Sequence, residues 1–486
     1  MPLRDTKASD SLPDGSSRPA GGLSASAKLA MGGLLWLLLS LAVSCWVQWR
    51  LEDPARKQQL AAAHKSAPAS ALIPARIPAG EHEGGQSLDK ALALHTVDAL
   101  LARVLPLALP QAQWQRVSPA EALPAEISPS PAGSTAPSLA YPPDAVVPAA
   151  SDAAVEEAAY PAAQARAAEA RQFHVTGPCA PLRLGLALLQ GLREQNPVLA
   201  RAGVRAHVRW SPQGTLEVLL NDLVYYVVGF PGHEGQLADL AQPLPQAALA
   251  IVIDDMGQRL EAAEDIASLP FPVTMAIWPR SPHAHETAAI AASRRLDCLL
   301  HQPMEALPRA GHGRPDPGPG ALLTSMSAQE IQTVLEANLR ALPTVIGLNN
   351  HMGSAFTGDI SQCETLSGML GGRGMAVLDS VTRPDPQLAV AAREAGLVAL
   401  ARDVFLDTRR DTAAILTALD TAAARARAHG TAVAIGHPYP ETLRALRHWQ
   451  DKDGAAVVPL RRILWKLAQD GAAVAARPHS AGADGR

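Results

Sequence analysis

Cysteine is nearly absent from this chain and nowhere arranged for chemistry. There are four in 486 residues. Cys45 lies in an apolar run, and Cys179, Cys298 and Cys363 stand far apart with no Cys-x-x-Cys pair. That spacing argues against a disulfide framework and against thiolate metal sites, which need paired cysteines. If two of the last three were bonded, the third would be left free, and the compartment cannot be read from them. A dominant charge is missing too: Lys and Arg number 42 against 46 Asp and Glu, for a net charge of −4. No basic stripe exists to neutralise phosphates, so nucleic acid is not an expected partner. Also lacking are the phosphate-cradling Gly-x-x-x-x-Gly-Lys-Ser/Thr loop and the Gly-x-Ser-x-Gly nucleophile turn, although Ser354 and Ser380 are present.

Aromatics are scarce while prolines number 41 and crowd the first half, so much of that half is not expected to pack. One long apolar run stands out. Leu29 to Val47 carries no charge, lies between Lys28 and Arg50, and ends among Trp46 and Trp49. That length and those flanks suit a membrane-spanning helix, and no Ala-x-Ala cleavage site follows closely. Arg4, Lys7, Arg18 and Lys28 precede the run and Arg50, Arg56 and Lys57 follow it. The bias favours a cytoplasmic tail at 1–28 and a periplasmic C-terminal part, making an inner-membrane, single-pass protein. Residues 48–86 read as linker, 118–168 as a disordered insertion and 476–486 as a disordered tail. Ser87 to Leu109 and Leu182 to Gln195 have helical apolar spacing, while 204–210 and 215–230 are strand-like around the turn Ser-Pro-Gln-Gly at 211–214. These pieces predict a small α+β module over 87–232, either a holder for an envelope partner or a spacer.

From Leu249 the texture changes. Short apolar runs at 249–253, 272–277, 297–300, 344–348, 374–378, 397–401, 431–435 and 455–459 alternate with amphipathic helical stretches. Strands buried on both faces read as continuous apolar runs, and alternation with helices implies a parallel sheet. Residues 245–475 are therefore expected to be α/β, a distorted (β/α) barrel, with an open doubly wound sheet as the other arrangement.

The residues just beyond these runs carry the chemistry. Asp254-Asp255, His301, Asn349-Asn350-His351, Asp379-Ser380, Arg402-Asp403 and His437-Pro438 all come directly after apolar runs. In a parallel barrel those positions face one mouth, where active sites are built. Any one of them has a plainer reading, as a helix-capping Asp or a satisfied His, but the set shares one end. Paired carboxylates with several histidines suit a hydrolytic site holding a divalent metal. Two adjacent aspartates on one strand point to opposite faces unless the chain is leaving the sheet there.

Taken together, these residues resemble a known family. Ala-Ile-Val-Ile-Asp-Asp-Met-Gly (250–257), Leu-Leu-His-Gln-Pro-Met-Glu (299–305), Gly-Leu-Asn-Asn-His-Met-Gly-Ser (347–354), Leu-Asp-Ser (378–380), Arg-Asp-Val-Phe-Leu-Asp (402–407) and Ala-Ile-Gly-His-Pro-Tyr-Pro-Glu-Thr (434–442) are similar to the divergent polysaccharide deacetylases. The match runs in order over roughly 248 to 470. The resemblance implies a distorted (β/α) barrel that removes acetyl groups from glycans with a divalent metal, often zinc. It implies Asp254 as base and Asp255 as metal ligand. The superfamily's His-x-x-x-His becomes His301-Gln-Pro-Met-Glu305 here, so the second histidine is replaced. His351 is the expected substitute ligand, with Glu305 as the other choice. His437 is the implied general acid with Asp379 orienting it, and Arg402 would orient a carboxylate or bind substrate. Asn350, His283 and His285 are further candidates for the metal or the rim. The expected function is thus a membrane-anchored, metal-dependent carbohydrate esterase acting on an envelope polysaccharide. A catalytically weak barrel that binds glycan or protein, or a hydrolase of a non-glycan amide, are the other readings.

Overall fold

A computed structural model describes residues 86–117, 170–308, 310–450 and 454–476. The apolar run 29–47, most of the linker after it, the insertion 118–168 and the chain beyond 476 lie outside that set. Among the described residues no helix is long and apolar enough to cross a membrane.

Helix α1 (Gln86–Ala108) buries Val97, Leu100, Leu101 and Val104, the apolar stripe read from the sequence. Strand β1 (Gln113–Val117) pairs antiparallel with β2 (Arg171–Thr176). The Arg171 guanidinium ties β2 back to α1, donating at 2.8 Å to Asp98 and at 2.8 Å to the Tyr226 hydroxyl. Helix α2 (Pro181–Arg201) starts on a proline, where no N–H is needed. Strands β3 (Ala206–Trp210), β4 (Leu216–Leu220) and β5 (Leu223–Gly229) complete a five-stranded sheet in the order β1-β2-β5-β4-β3. The single strand expected over 215–230 is in fact a hairpin. Asn221 and Asp222 both take positive φ, 48° and 66°, the left-handed pair that a two-residue hairpin loop requires.

The second sheet contains β6 (Ala248–Met256), β7 (Thr274–Ile277), β8 (Cys298–Met304), β9 (Gly347–Met352), β10 (Ala376–Asp379), β11 (Ala399–Ala401), β12 (Val404–Phe405) and β13 (Thr431–Gly436). Their order is β11-β10-β9-β8-β7-β6-β13-β12, every pairing parallel. Chain neighbours are sheet neighbours from β6 to β11, so the sheet curls one way instead of reversing as a doubly wound sheet does. The two edges come together at one dipeptide. Arg402 N, just past edge strand β11, donates to Asp379 O of β10 at 2.9 Å, and Asp403 N, just before edge strand β12, donates to Val433 O of β13 at 2.9 Å. The architecture is α/β with a curled parallel sheet of the (β/α)-barrel kind. Two details differ from the sequence reading. The run 455–459 gives only the stub β14 (Ala456–Val457), which pairs with the start of β6 and is no eighth stave. Strand β12 is only two residues long, so no apolar run announces it.

Alternation along the strands sorts their side chains. Leu249, Ile251 and Ile253 of β6 pack with helix residues such as Ala263, Ile266 and Leu335. Ala248, Ala250 and Val252 face inward with Ala276, Leu299, Leu378, Val433 and Ile435. This inward set is continuous with the core of the five-stranded module, including Leu184, Trp210 and Trp465 of helix α3 (Leu460–Ala476). The contact is close: a Cβ on Gly374 would collide with the Arg183 carbonyl. Arg183 itself is buried and donates to Arg373 O at 3.1 Å and Leu107 O at 3.4 Å, with burial bringing its pKa down to about 9. The cysteines Cys179, Cys298 and Cys363 are buried and free.

A buried ion pair ties helix α3 to the chain just before β8. Arg461 meets Asp297 through Nη1 at 2.9 Å and through its backbone N at 2.9 Å, both side chains being almost fully buried. Removing one partner of such a pair leaves an uncompensated charge. Arg461→Ala is expected to cost about 3–5 kcal/mol in denaturant unfolding, whereas Arg462→Ala, half-buried and bonded only to the Gln242 and Pro243 carbonyls, is expected to cost under about 1 kcal/mol.

Candidate metal centre

The inward parity continues past the apolar segment of each strand. Positions 299 and 301 on β8, 347, 349 and 351 on β9, and 433 and 435 on β13 with 437 just past its end fall on one face, which puts His301, Asn349, His351 and His437 at the mouth. Asp254 continues the inward series 248, 250, 252 of β6. Asp255 would by the same rule point outward. It does not, because the pairing with β7 shifts register between Ile253 and Met256, and Asp255 takes φ 57°. An extra left-handed residue of this kind bends a strand and re-aims its side chain.

Three donor atoms meet as a result. Asp255 Oδ1 lies 3.1 Å from His301 Nε2 and 2.9 Å from His351 Nδ1, and the two ring nitrogens are 3.1 Å apart. Ligands at about 2.0–2.2 Å around a tetrahedral ion sit about 3.3–3.6 Å from one another, so a shift of a few tenths of an ångström admits one. The donor chemistry also fits. His301 Nδ1 faces Asn349 Oδ1 at 3.0 Å, and an amide oxygen only accepts. Nδ1 therefore carries the proton, and in the neutral ring the lone pair is on Nε2, aimed at the other two donors. Asn349 is fixed in that orientation because its Nδ2 donates to Asp254 Oδ1 at 2.7 Å and to Ser380 Oγ at 3.2 Å. Trp278 Nε1 donates to Asp255 Oδ1 at 3.0 Å, and its ring stands edge-on to His351. Among the described residues Asp255, His301 and His351 form the group able to hold a metal ion. Asn350 and His283 stand outside it: Asn350 accepts from Ser380 N at 2.8 Å, while His283 N donates to Gly257 O at the start of helix α4 (Ala284–Ser293).

Charge distribution follows from this packing. Burial opposes an imidazolium at His301, but the Asp254 and Asp255 carboxylates outweigh it and raise its pKa to about 9. Asp255 is held well below the usual carboxylate range; burial works the other way, and hydrogen bonds from His301 and His351 prevail. Burial pushes Asp254 up. His351 is lowered, mainly by burial.

Three residues sit elsewhere than the sequence reading places them. Asp379 does not orient His437. Val377 and Asp379 have the outward parity of β10, and Asp379 accepts from Val381 N at 2.9 Å and Ala389 N at 3.3 Å instead. The partner of His437 is Asp407, whose Oδ1 lies 3.0 Å from His437 Nδ1 and whose Oδ2 accepts from His437 N at 2.5 Å and Thr442 Oγ1 at 2.9 Å. His437 Nε2 then faces the centre, 3.8 Å from Asp255 Oδ2. Burial lowers its pKa, but the Asp407 bond and charge win and raise it. Glu305 is not with the donors either. Its buried carboxylate accepts from Thr324 N and Oγ1, both at 2.6 Å, and pairs with Arg314, which latches the loop after β8. Arg402 donates to the carbonyls of Ser380 at 2.8 Å and Val381 at 3.0 Å and lies over Phe405, so it shapes the mouth without gripping a carboxylate.

Known proteins share this region. A family model described as divergent polysaccharide deacetylase matches residues 251–464. YibQ of Escherichia coli K12, described as uncharacterized, is 34% identical over 211 residues, 43% of this chain and 65% of YibQ, so just under two thirds of that relative is spanned. An uncharacterized protein of Haemophilus influenzae Rd is 35% identical over 202 residues, 42% of this chain and 70% of its own length. Among solved structures, the uncharacterized protein ATU2773 of Agrobacterium tumefaciens C58 aligns over 46% of this chain and 90% of its own, with 23% identity and a TM-score of 0.43.

Zinc titration tests the donor set. One ion per chain is expected, lost in His301→Ala and His351→Ala and kept in Glu305→Gln. Because His301 must shed its proton to bind, about one proton should be released near pH 7, and affinity should rise roughly tenfold per pH unit until about pH 9, then level off. Equal zinc loss in Glu305→Gln, measured by the same titration, would move the site to Glu305.

Proposed function

We propose that this chain, which belongs to the divergent polysaccharide deacetylase family, is a metal-dependent carbohydrate esterase or deacetylase that acts on an envelope polysaccharide. The observation that carries the reading is the meeting of Asp255, His301 and His351 beside the Asp407–His437 pair. The run 29–47 would anchor it in the inner membrane with the barrel on the periplasmic side, as the flanking charges favour.

A divalent ion at this donor set, zinc being the first candidate, supplies Lewis acidity that acidifies a water and polarises an acyl carbonyl. The rest belongs to the chain. Asp254, raised by burial, is a stronger base than an ordinary carboxylate and takes the proton as the water oxygen bonds to the acyl carbon. His437, whose Nδ1–H is fixed by Asp407, presents a protonated Nε2 to the leaving nitrogen or oxygen. The acyl carbon–heteroatom bond breaks as that proton transfers, which gives acetate and the free amine or alcohol. Asn349 joins the two halves, since one amide orients His301 through its oxygen and Asp254 through its nitrogen. The latched Glu305 favours one other reading, a barrel that binds glycan with little turnover.

Acetate release from acetylated peptidoglycan and other acetylated polymers decides between the two. Release at turnover rates, reduced about 10²–10⁴-fold in Asp254→Asn and in His437→Ala, is the expected result; no release by the zinc-loaded chain from any polymer would favour the binding module. The pH profile of kcat/KM should be bell-shaped. Its acid limb should lie above the usual carboxylate value, set by Asp254, and its alkaline limb above the usual imidazole value, set by His437. Asp407→Asn removes the charge that keeps His437 protonated, so the alkaline limb should move to lower pH. An unmoved limb would remove His437 from the role of acid.

A further inference from the structure

The rim of the mouth carries arginines that the centre does not need. Arg259 follows β6, Arg280 follows β7, and Arg409 and Arg410 follow β12, so all four sit on loops at the C-terminal ends of the strands. All four are exposed. Among the described residues none of them has a carboxylate within 4.0 Å, unlike Arg314 and Arg383, which are paired with Glu305 and Asp385. Two stand beside the proposed acid. Arg259 Nη2 lies 3.4 Å from the carbonyl of Pro438, next to His437. The Arg410 guanidinium lies 3.7 Å from the Tyr439 ring centroid, and the same ring stacks with His437 at 5.3 Å. Arg280 Nε donates to Asn338 Oδ1 at 3.4 Å.

These cations are surplus to the centre. The contacts of Arg259, Arg280 and Arg410 go to the Pro438 carbonyl, Asn338 and the Tyr439 ring, not to Asp254, Asp255, His301, His351 or Asp407. The whole chain is slightly acidic, at −4, so a positive rim does not follow from composition. The ring of Tyr439 is already engaged by the Arg410 guanidinium at 3.7 Å and by the stacked His437 imidazole at 5.3 Å. A cleft lined by one sign of charge focuses its field and gathers ligands of the other sign, and guanidinium groups match carboxylate and phosphate oxygens in geometry.

We propose that the polymer received at this mouth is anionic, and that Arg259, Arg280, Arg409 and Arg410 contact its carboxylate or phosphodiester groups beside the residue that carries the acyl group. The proposal takes the mouth as the polymer-binding side, as in the function above, but its test reads binding and not turnover. Fluorescein-labelled oligogalacturonate, an oligomer of glycerol phosphate and a chitooligosaccharide of matched length are titrated with the full chain, and anisotropy is followed. At least one anionic oligomer should bind about tenfold or more tightly than the neutral one at low salt, and the advantage should shrink toward 150 mM, where screening acts over about 8 Å. The tighter of the two anionic oligomers identifies carboxylate or phosphodiester as the group recognised. Arg259→Gln and Arg410→Gln should each weaken that binding about fivefold, while Arg259→Lys and Arg410→Lys, which keep the charge but not the fork, should fall between wild type and the Gln variants. Equal binding of the chitooligosaccharide, or Gln variants that bind as wild type does, overturns the proposal. Arginine-dependent anion binding without acyl release from any polymer upholds it and refutes the hydrolase reading. Equal acyl release from acetylated neutral and anionic polymers, with equal binding, does the reverse.

Discussion

Everything at the mouth depends on how one residue leaves its strand. Asp254 reaches the centre by ordinary alternation, since it continues the inward series of β6. Asp255 reaches it only because the chain takes a left-handed conformation there and the register with β7 slips. For a non-glycine residue that conformation costs of order 1–2 kcal/mol, and the surrounding bonds must hold it. Here they are the contacts of Asp255 Oδ1 with Trp278, His301 and His351. A straight strand would put one carboxylate in the mouth and the other among the helices, leaving two histidines and no charged donor between them.

The second constraint is rigidity beneath the site. The inward faces of the strands merge with the core of the five-stranded module, so the donors stand on a packed floor rather than above an open lumen. Above that floor each histidine has a polar partner that fixes its ring: Asn349 for His301 and Asp407 for His437. These partners set which nitrogen carries the proton, and so what each ring can do. Glu305, where the superfamily pattern has a histidine, is committed to the loop after β8, and His351 of β9 stands in the donor group.

Much of this was legible because the sheet is parallel and buried on both faces. Such strands appear as bare apolar runs, and the polar residues within three positions after a run are the candidates for the mouth. Asp254, His301, His351 and His437 could be picked out in that way. For Asp379 the cause of the misplacement is parity. Asp379 follows its run as closely as the others do, but it falls on the outward face of β10, and nothing in a four-residue run reveals that. Asn349 and Asn350 differ only in parity, and the inward one orients His301. Asp407 was hidden for a different reason: β12 has two residues, too few to announce a strand end. The hairpin at Asn221-Asp222 was missed because an apolar run on each side masked a turn made by two left-handed residues.

The central claim is that this fold brings Asp255, His301 and His351 to one metal ion. Anomalous diffraction at the zinc edge, on crystals grown with zinc, tests it most directly. One strong peak is expected within about 2.0–2.2 Å of an Asp255 oxygen, His301 Nε2 and His351 Nδ1. No peak at the mouth, or one centred on Glu305 with His351 turned away, would contradict it.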